Sequence, residues 1–166
     1  FTAISKANDS GKHVVLHVMD QSKLGYQSPS EKMIEDLDTL ENLSIQIVVD
    51  SAQVRLDPKD IQNYLHKGYI VSITGSKYFT GPPYSGALIL PDSVSKSIQG
   101  IKSTLPEGLT KYYNHSDWPT SWHCSKDLCE GFNYGSYMRW NAAIVEMERY
   151  FMTPVLYRNM GIEMFC

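Results

Sequence analysis

The residues best suited to chemistry lie between positions 45 and 91, in IQIVVDSAQVRLDPKDIQNYLHKGYIVSITGSKYFTGPPYSGALILP. One apolar run, Ile45 to Val49, stops at an acid, Asp50. A second, Tyr69 to Ile73, delivers Thr74, Gly75, Ser76 and Lys77. An unprotonated lysine amine attacks carbonyls, and a buried site near other cations lowers a lysine pKa toward that state. A carboxylate held beside a ring nitrogen keeps that nitrogen protonated, because each charge favours the other. Short hydroxyls on Thr74 and Ser76, with backbone N–H groups near Gly75, can surround a phosphate dianion. A strand, helix, strand order predicts a parallel pair with a right-handed crossover. In open α/β sheets the ligand crevice lies at the carboxyl ends of such strands, where Asp50 and Lys77 both fall.

One cofactor needs that set together. Pyridoxal 5'-phosphate takes a lysine on its aldehyde, an acid at its pyridinium nitrogen and donors at its phosphate. The stretch resembles the cofactor-lysine segment of fold-type I pyridoxal phosphate enzymes, and among them the class V aminotransferase and cysteine desulfurase group. There a strand ends in Asp-x-x-Gln or Asp-x-x-His, and a later one in Ser/Thr-x-x-Lys or Ser-His-Lys. A Gly-Pro and small-residue turn follows. Here these parts read DSAQ at 50–53, TGSK at 74–77 and GPPYSGALIL at 81–90.

The resemblance implies a Schiff base on Lys77, with Asp50 at the ring nitrogen and Gln53 at the phenolic oxygen. It implies phosphate contacts from Thr74 and Ser76. Where the group has Ser-Asn-Glu-Thr-Gly beside the cofactor this chain has SKLG at 22–25, so Ser22 or Lys23 stands at that place, with an ordinary turn as the alternative. Ser76 occupies a position where many members carry histidine, which argues against a close match to the desulfurases. Thr80 or Tyr84, in the turn after the lysine, is where the family reaches a neighbouring subunit's site. A homodimer is implied on the same ground.

Around this site the predicted elements run in order. HVVLHVM at 13–19 reads as a buried strand, and DQSKLGYQSPS as turns. Ser30 is a helix N-cap, with Met33, Ile34, Leu37 and Leu40 along one face and an end near Glu41. Asp57 followed by Pro58 starts the next helix, which stops at Gly68. Residues 69–74 enter the lysine loop, and Ala87 to Leu90 leave it. Pro91 and Asp92 open a helix to about Lys102. Residues 104–132 carry Pro106, Pro119 and DWPTSWH without a period, and read as a long surface excursion. From Asn133 a helical stripe returns at Tyr137, Trp140, Ile144, Met147 and Phe151, until Pro154 kinks or ends it.

The chain of 166 residues, 42% hydrophobic and 20% charged, has the composition of a globular protein. A net charge of −3 gives nucleic acid or an acidic membrane surface no purchase. No apolar run reaches the roughly 20 residues of a membrane span, and FTAISKANDSGKH is not a signal peptide. Three cysteines, Cys124, Cys129 and Cys166, favour a reducing, cytoplasmic compartment over a disulfide scaffold. The five histidines and the cysteines lack metal-ligand spacing. Arg139 is read as a helix-packing salt bridge, with a bound carboxylate as the other option.

The fold class expected is α/β, part of a three-layer α/β/α large domain with a mainly parallel sheet. Residues 1–132 would be a partial pyridoxal phosphate-binding large domain, and 133–166 a long helix leading toward a small domain. The chain begins at Phe1 and is far shorter than a whole fold-type I enzyme, so it reads as a piece of one. The function expected is an aminotransferase-like reaction on an amino acid or amine. A lyase or desulfurase is the nearest alternative, and a non-catalytic structural fragment is the alternative of another class.

Overall fold

The computed structural model describes residues 2–22, 24–39, 44–52 and 57–165. Among them four strands form one sheet in the order β1 (Val14–Met19), β2 (Ile45–Asp50), β3 (Ile70–Thr74) and β4 (Gly86–Ile89). The first three run parallel and β4 returns antiparallel beside β3. The protein is therefore α/β with a mostly parallel sheet.

The register lines up Val18, Val49 and Val71 across three strands, and all three are buried. Burying a valine side chain of this kind contributes about 1.5–3 kcal/mol. Ile47, Tyr69 and Ile34 complete this core, with Leu16, Ile45 and Tyr64 against it. The opposite face of the sheet is open: Val15 is 55% exposed and Leu88 61%. Alternate residues of a strand point to opposite faces, so Asp50 shares this open face with Met19 and Ser72. Parallel sheets usually bury both faces.

The helices follow local chemistry. Asp57 accepts a hydrogen bond from the Lys59 N–H at 3.0 Å and Asp60 reaches back to the Asp57 N–H, so a reciprocal cap starts α3 (Pro58–His66). Gly68, at φ 82°, ends it in the left-handed region. Ser30 stands at the N-cap of α2 (Glu31–Asp38), but its side chain makes no cap hydrogen bond. Ile34 and Leu37 are buried as expected, whereas Met33 is 48% exposed. A two-turn helix buries a narrow stripe, and Met33 lies 100° round from Ile34. The regular helix stops before Glu41, where the Thr39 hydroxyl donates to the Asp36 carbonyl at 2.7 Å. Leu40 lies outside the described residues.

An unforeseen helix, α1 (Thr2–Asp9), opens the chain, and Asn8 Oδ1 accepts from the Ser44 N–H at 2.7 Å at the entry to β2. Helix α4 (Asp92–Gln99) ends at Gly100, short of Lys102, because glycine is a poor helix residue.

Residues 104–132 run largely over the surface, as expected, but a few side chains anchor them. They contain α5 (Glu107–Thr110) and two 3₁₀ turns, His115–Asp117 and His123–Asp127. Trp122, Cys124, Ser125 and Leu128 are buried. Trp118 meets Trp122 edge-on at 5.6 Å, and Trp122 Nε1 donates to Ser95 Oγ on α4 at 3.3 Å. Single anchors on irregular backbone leave no period in the sequence.

Asn133 caps α6 (Tyr134–Met152) by accepting from the Ser136 N–H at 3.0 Å. The helix ends before Pro154, one of the two outcomes expected there, and a second, α7 (Val155–Phe165), follows, so 133–166 holds two helices and not one long one. The fully buried position of α6 is Ala143, outside the expected stripe, while Tyr137 and Ile144 are exposed. Among the described residues no helix is long and apolar enough to cross a membrane.

Candidate functional site

Three neighbouring strands bring the chosen residues to one edge of the sheet. Met19 stands opposite Asp50, and Asp50 opposite Ser72. The ladder continues one step, with the Asp20 N–H donating to the Asp50 carbonyl at 3.2 Å and the Ser51 N–H to the Ser72 carbonyl at 3.0 Å. Ser22, Asp50 and the Thr74–Lys77 segment thus follow the carboxyl ends of β1, β2 and β3, strands spaced about 4.8 Å apart. Asp50 is exposed, and its Oδ1 accepts the Ala52 N–H at 2.9 Å, an Asx turn that fixes the carboxylate. Its other oxygen has no protein partner among the described residues.

The loop from Gly75 to Ser85 is closed on itself. The Gly75 N–H donates to the Ser85 carbonyl and the Gly81 N–H to the Gly75 carbonyl, both at 2.9 Å. The Ser85 hydroxyl donates to the Pro82 carbonyl at 2.8 Å. Thr80 and Tyr84 hold positive φ, 56° and 65°, a conformation that costs a non-glycine residue about 1–3 kcal/mol. The loop is over-determined by what it rests on. A Cβ at Gly75 would fall inside the Ala143 methyl of α6, and one at Gly81 would lie 2.6 Å from the Gly75 carbonyl oxygen and 2.9 Å from Ala143 Cβ. Beside that contact, Tyr78 and Phe79 pack edge-on against Tyr150 at 5.3 and 5.4 Å.

These anchors leave Lys77 exposed, where the sequence reading has it buried. The two aromatic residues after it take the space against α6, so the lysine faces out of the loop. Among the described residues it has no ion-pair partner. The Thr74 and Ser76 hydroxyls lie 2.7 Å apart, half-buried, and the Ser76 N–H donates to Thr74 Oγ1 at 3.2 Å. Ser22 serves its own turn: its hydroxyl oxygen accepts from Leu24 N–H at 3.2 Å and Tyr26 N–H at 3.0 Å. Gln53 lies outside the described residues, as does Lys23.

Sequence reasoning missed three features near this edge. Ser51, next to Asp50, is buried with its hydroxyl unpaired. Asp20 is buried at the end of β1 and accepts from the Tyr64 hydroxyl at 2.7 Å. Burial pushes the Asp20 carboxyl up, the Tyr64 hydrogen bond pulls it down, and nearby Asp60 adds to the rise. Burial and the same carboxylate push the Tyr64 hydroxyl up. The pair sits in a cleft of about 230 Å³, also lined by Gln27, Glu31, Lys67 and Tyr69, on the helix-covered side. It holds none of Asp50, Thr74, Ser76 and Lys77, and is smaller than the roughly 300 Å³ at which ligand pockets begin. The third feature is Ala143, which carries no hydropathy signal because a small side chain marks a close approach only when its neighbours are known.

No family model, curated protein or solved structure matches the chain.

Proposed function

We propose that the chain is part of a pyridoxal phosphate-dependent enzyme of fold type I, acting on an amino acid or amine in an aminotransferase-like reaction. The observation that carries this reading is that a carboxylate with one oxygen unpartnered among the described residues ends β2, while an exposed lysine follows the carboxyl end of the adjacent parallel β3, with two hydroxyls in the same loop. The polar set fits the cofactor: an ionised Asp50 only accepts, Lys77 is a primary amine with no ion pair among the described residues, and Thr74 and Ser76 each carry an O–H that can turn to an anion. Bound, the cofactor would supply an aldehyde for a primary amine and a ring that stores an electron pair.

The roles of the chain's own residues follow. Asp50, fixed by its Asx turn, holds a proton on the ring nitrogen through its free oxygen. Thr74 and Ser76 donate to the phosphate, giving up the bond between them. Lys77 would hold the cofactor at its aldehyde, and its Nζ would move a proton at the substrate α-carbon. Gln53 belongs at the phenolic oxygen. Ser22, with its oxygen engaged twice by backbone, has only its O–H left to offer. A three-layer large domain with a covered second sheet face, and a homodimer, belong to the same reading; the exposed Val15 and Leu88 on that face agree with it.

The test is borohydride reduction of the protein with added pyridoxal phosphate, followed by peptide mapping, on the wild type and Lys77→Ala. An absorbance band at roughly 410–430 nm and a label on Lys77, both lost in the variant, are expected. No band and no label on Lys77 would refute the catalytic reading. Amino-donor screening then separates a transaminase from a lyase.

A further inference from the structure

The cleft at the end of β1 holds a carboxylate with half of its hydrogen bonding left open. Asp20 is only 8% exposed. Its Oδ1 accepts from the Tyr64 hydroxyl at 2.7 Å, and its Oδ2 has no protein partner among the described residues. Lys67 lines the same cleft but forms no ion pair with Asp20. The other charges close by are negative. Glu31 of α2 lines the cleft, and Asp60 of α3 adds to the rise in the Asp20 pKa that burial causes. A buried carboxylate without a counter-charge is costly, and it takes up either a proton or a cation.

The walls are preformed. Met19 and Ser28 exchange backbone hydrogen bonds at 2.8 and 3.0 Å, and the Ser22 N–H donates to the Tyr26 carbonyl at 2.8 Å. That closed turn sets Gln21 and Gln27 in the lining with Asp20. Ile34 and Tyr69, both buried, supply apolar surface. The Tyr64 and Tyr69 rings stack at 6.2 Å, and an aromatic face attracts a cation.

This set suits an ammonium group. Its three N–H donors can be shared among Asp20 Oδ2, the glutamine amide oxygens and the Glu31 carboxylate. A guanidinium fork needs both oxygens of a carboxylate, and Tyr64 already takes one. Hard metal ions take about six oxygen ligands, and among the described residues no three His, Cys, Asp or Glu side chains are placed to share an ion. The volume of about 230 Å³ leaves room for about seven atoms of water size, at roughly 30 Å³ each. That admits a short alkyl chain against Ile34 and excludes larger ligands.

We infer that this cleft is a binding site for a short-chain primary ammonium ion, with Asp20 as its counter-ion. None of Asp50, Thr74, Ser76 and Lys77 lines it, so the inference stands independently of the function proposed for the lysine loop.

The test is a titration of the full chain with n-butylammonium chloride at constant ionic strength, read from backbone amide NMR shifts. Comparison ligands are n-butanol, which lacks the charge, tetramethylammonium, which lacks the N–H donors, and potassium ion. Saturable shifts centred on Asp20, Gln27, Tyr64 and Tyr69 are expected for n-butylammonium, with the others binding about tenfold more weakly or worse. Alkylammonium stays charged where Asp20 takes its proton, so affinity should fall about tenfold per pH unit below the Asp20 pKa and level off above it. The charged and titratable groups around Asp20 are Tyr64 and Asp60 of α3, Lys67 beyond it and Glu31 of α2.

Asp20→Asn, which removes the charge and keeps an acceptor for Tyr64, should weaken binding about tenfold or more. Glu31→Gln, on the exposed rim, should weaken it about two- to threefold. No saturation below about 100 mM would overturn the site. So would n-butanol or potassium binding as well as n-butylammonium, or Asp20→Asn binding like the wild type. If Asp20→Asn does not fold, the wild-type pH series decides, and an affinity that stays flat with pH overturns the role of Asp20.

Discussion

Gly75 and Ala143 share one methyl group's worth of space where the lysine loop crosses α6, so that methyl can sit on either residue but not on both. Gly75→Ala would overlap the Ala143 Cβ, with Ser85 Oγ at 3.2 Å and Met147 Cε at 3.5 Å as the next neighbours. The last two can move, but the Ala143 methyl is fixed to helix backbone. Overpacking of this kind costs about 1–3 kcal/mol. At about 2–4 °C per kcal/mol for a chain of this size, Tm should fall by about 2–12 °C.

Ala143→Gly alone should cost about 2 kcal/mol, from helix propensity and one lost buried methyl. The double variant should cost no more than Ala143→Gly, because the methyl has only changed sides, giving a coupling of about 1–3 kcal/mol. Gly81→Ala should be as damaging but without rescue, since its Cβ meets the Gly75 carbonyl oxygen at 2.6 Å and Ala143 Cα at 3.0 Å, both backbone atoms. Gly86→Ala is the control, with nothing nearer than the Ile73 carbonyl oxygen at 3.9 Å. Urea and thermal unfolding followed by circular dichroism read all five variants. An additive double variant, or a Gly75→Ala protein as stable as Gly86→Ala, refutes the contact and with it the account of how the loop is held.

Two further outcomes follow from the fold. Asp20 has a folded pKa above the ordinary carboxylate value, so the folded chain binds its proton more tightly than the unfolded chain does. Stability should therefore fall as pH rises from the ordinary value through the folded one. Asp20→Asn should flatten that slope in urea midpoints measured against pH, and Tyr64→Phe, which removes the bond that lowers the pKa, should steepen it. Asp57→Ala should cost about 0.5–2 kcal/mol and raise hydrogen exchange in the first turn of α3, since it removes the side-chain half of the reciprocal cap and leaves only the backbone N–H of residue 57 donating to Asp60.

The sequence by itself determined the order of strands and helices from β1 to α4, the start of α3, and the delivery of Asp50 and Lys77 to strand ends. Each of these rests on neighbours in sequence: an apolar run, an Asp-Pro cap, a glycine stop. It also named Thr74 and Ser76, whose hydroxyls do lie together because they are two residues apart on one turn. The tertiary structure decided what depends on distant contacts. Lys77 is exposed because Tyr78 and Phe79 claim the space against α6, and hydropathy cannot say which of three adjacent residues wins it. Ala143, not the larger residues of the expected stripe, is the buried position of α6, because a loop with two glycines approaches it too closely for anything bulkier. Trp122 became a core residue through one partner on α4, Asp20 through Tyr64 on α3, and Arg139 gained a ring instead of a salt bridge. A periodic pattern encodes which face of an element is apolar. Which residue on that face meets which partner is set only when the chain has closed on itself.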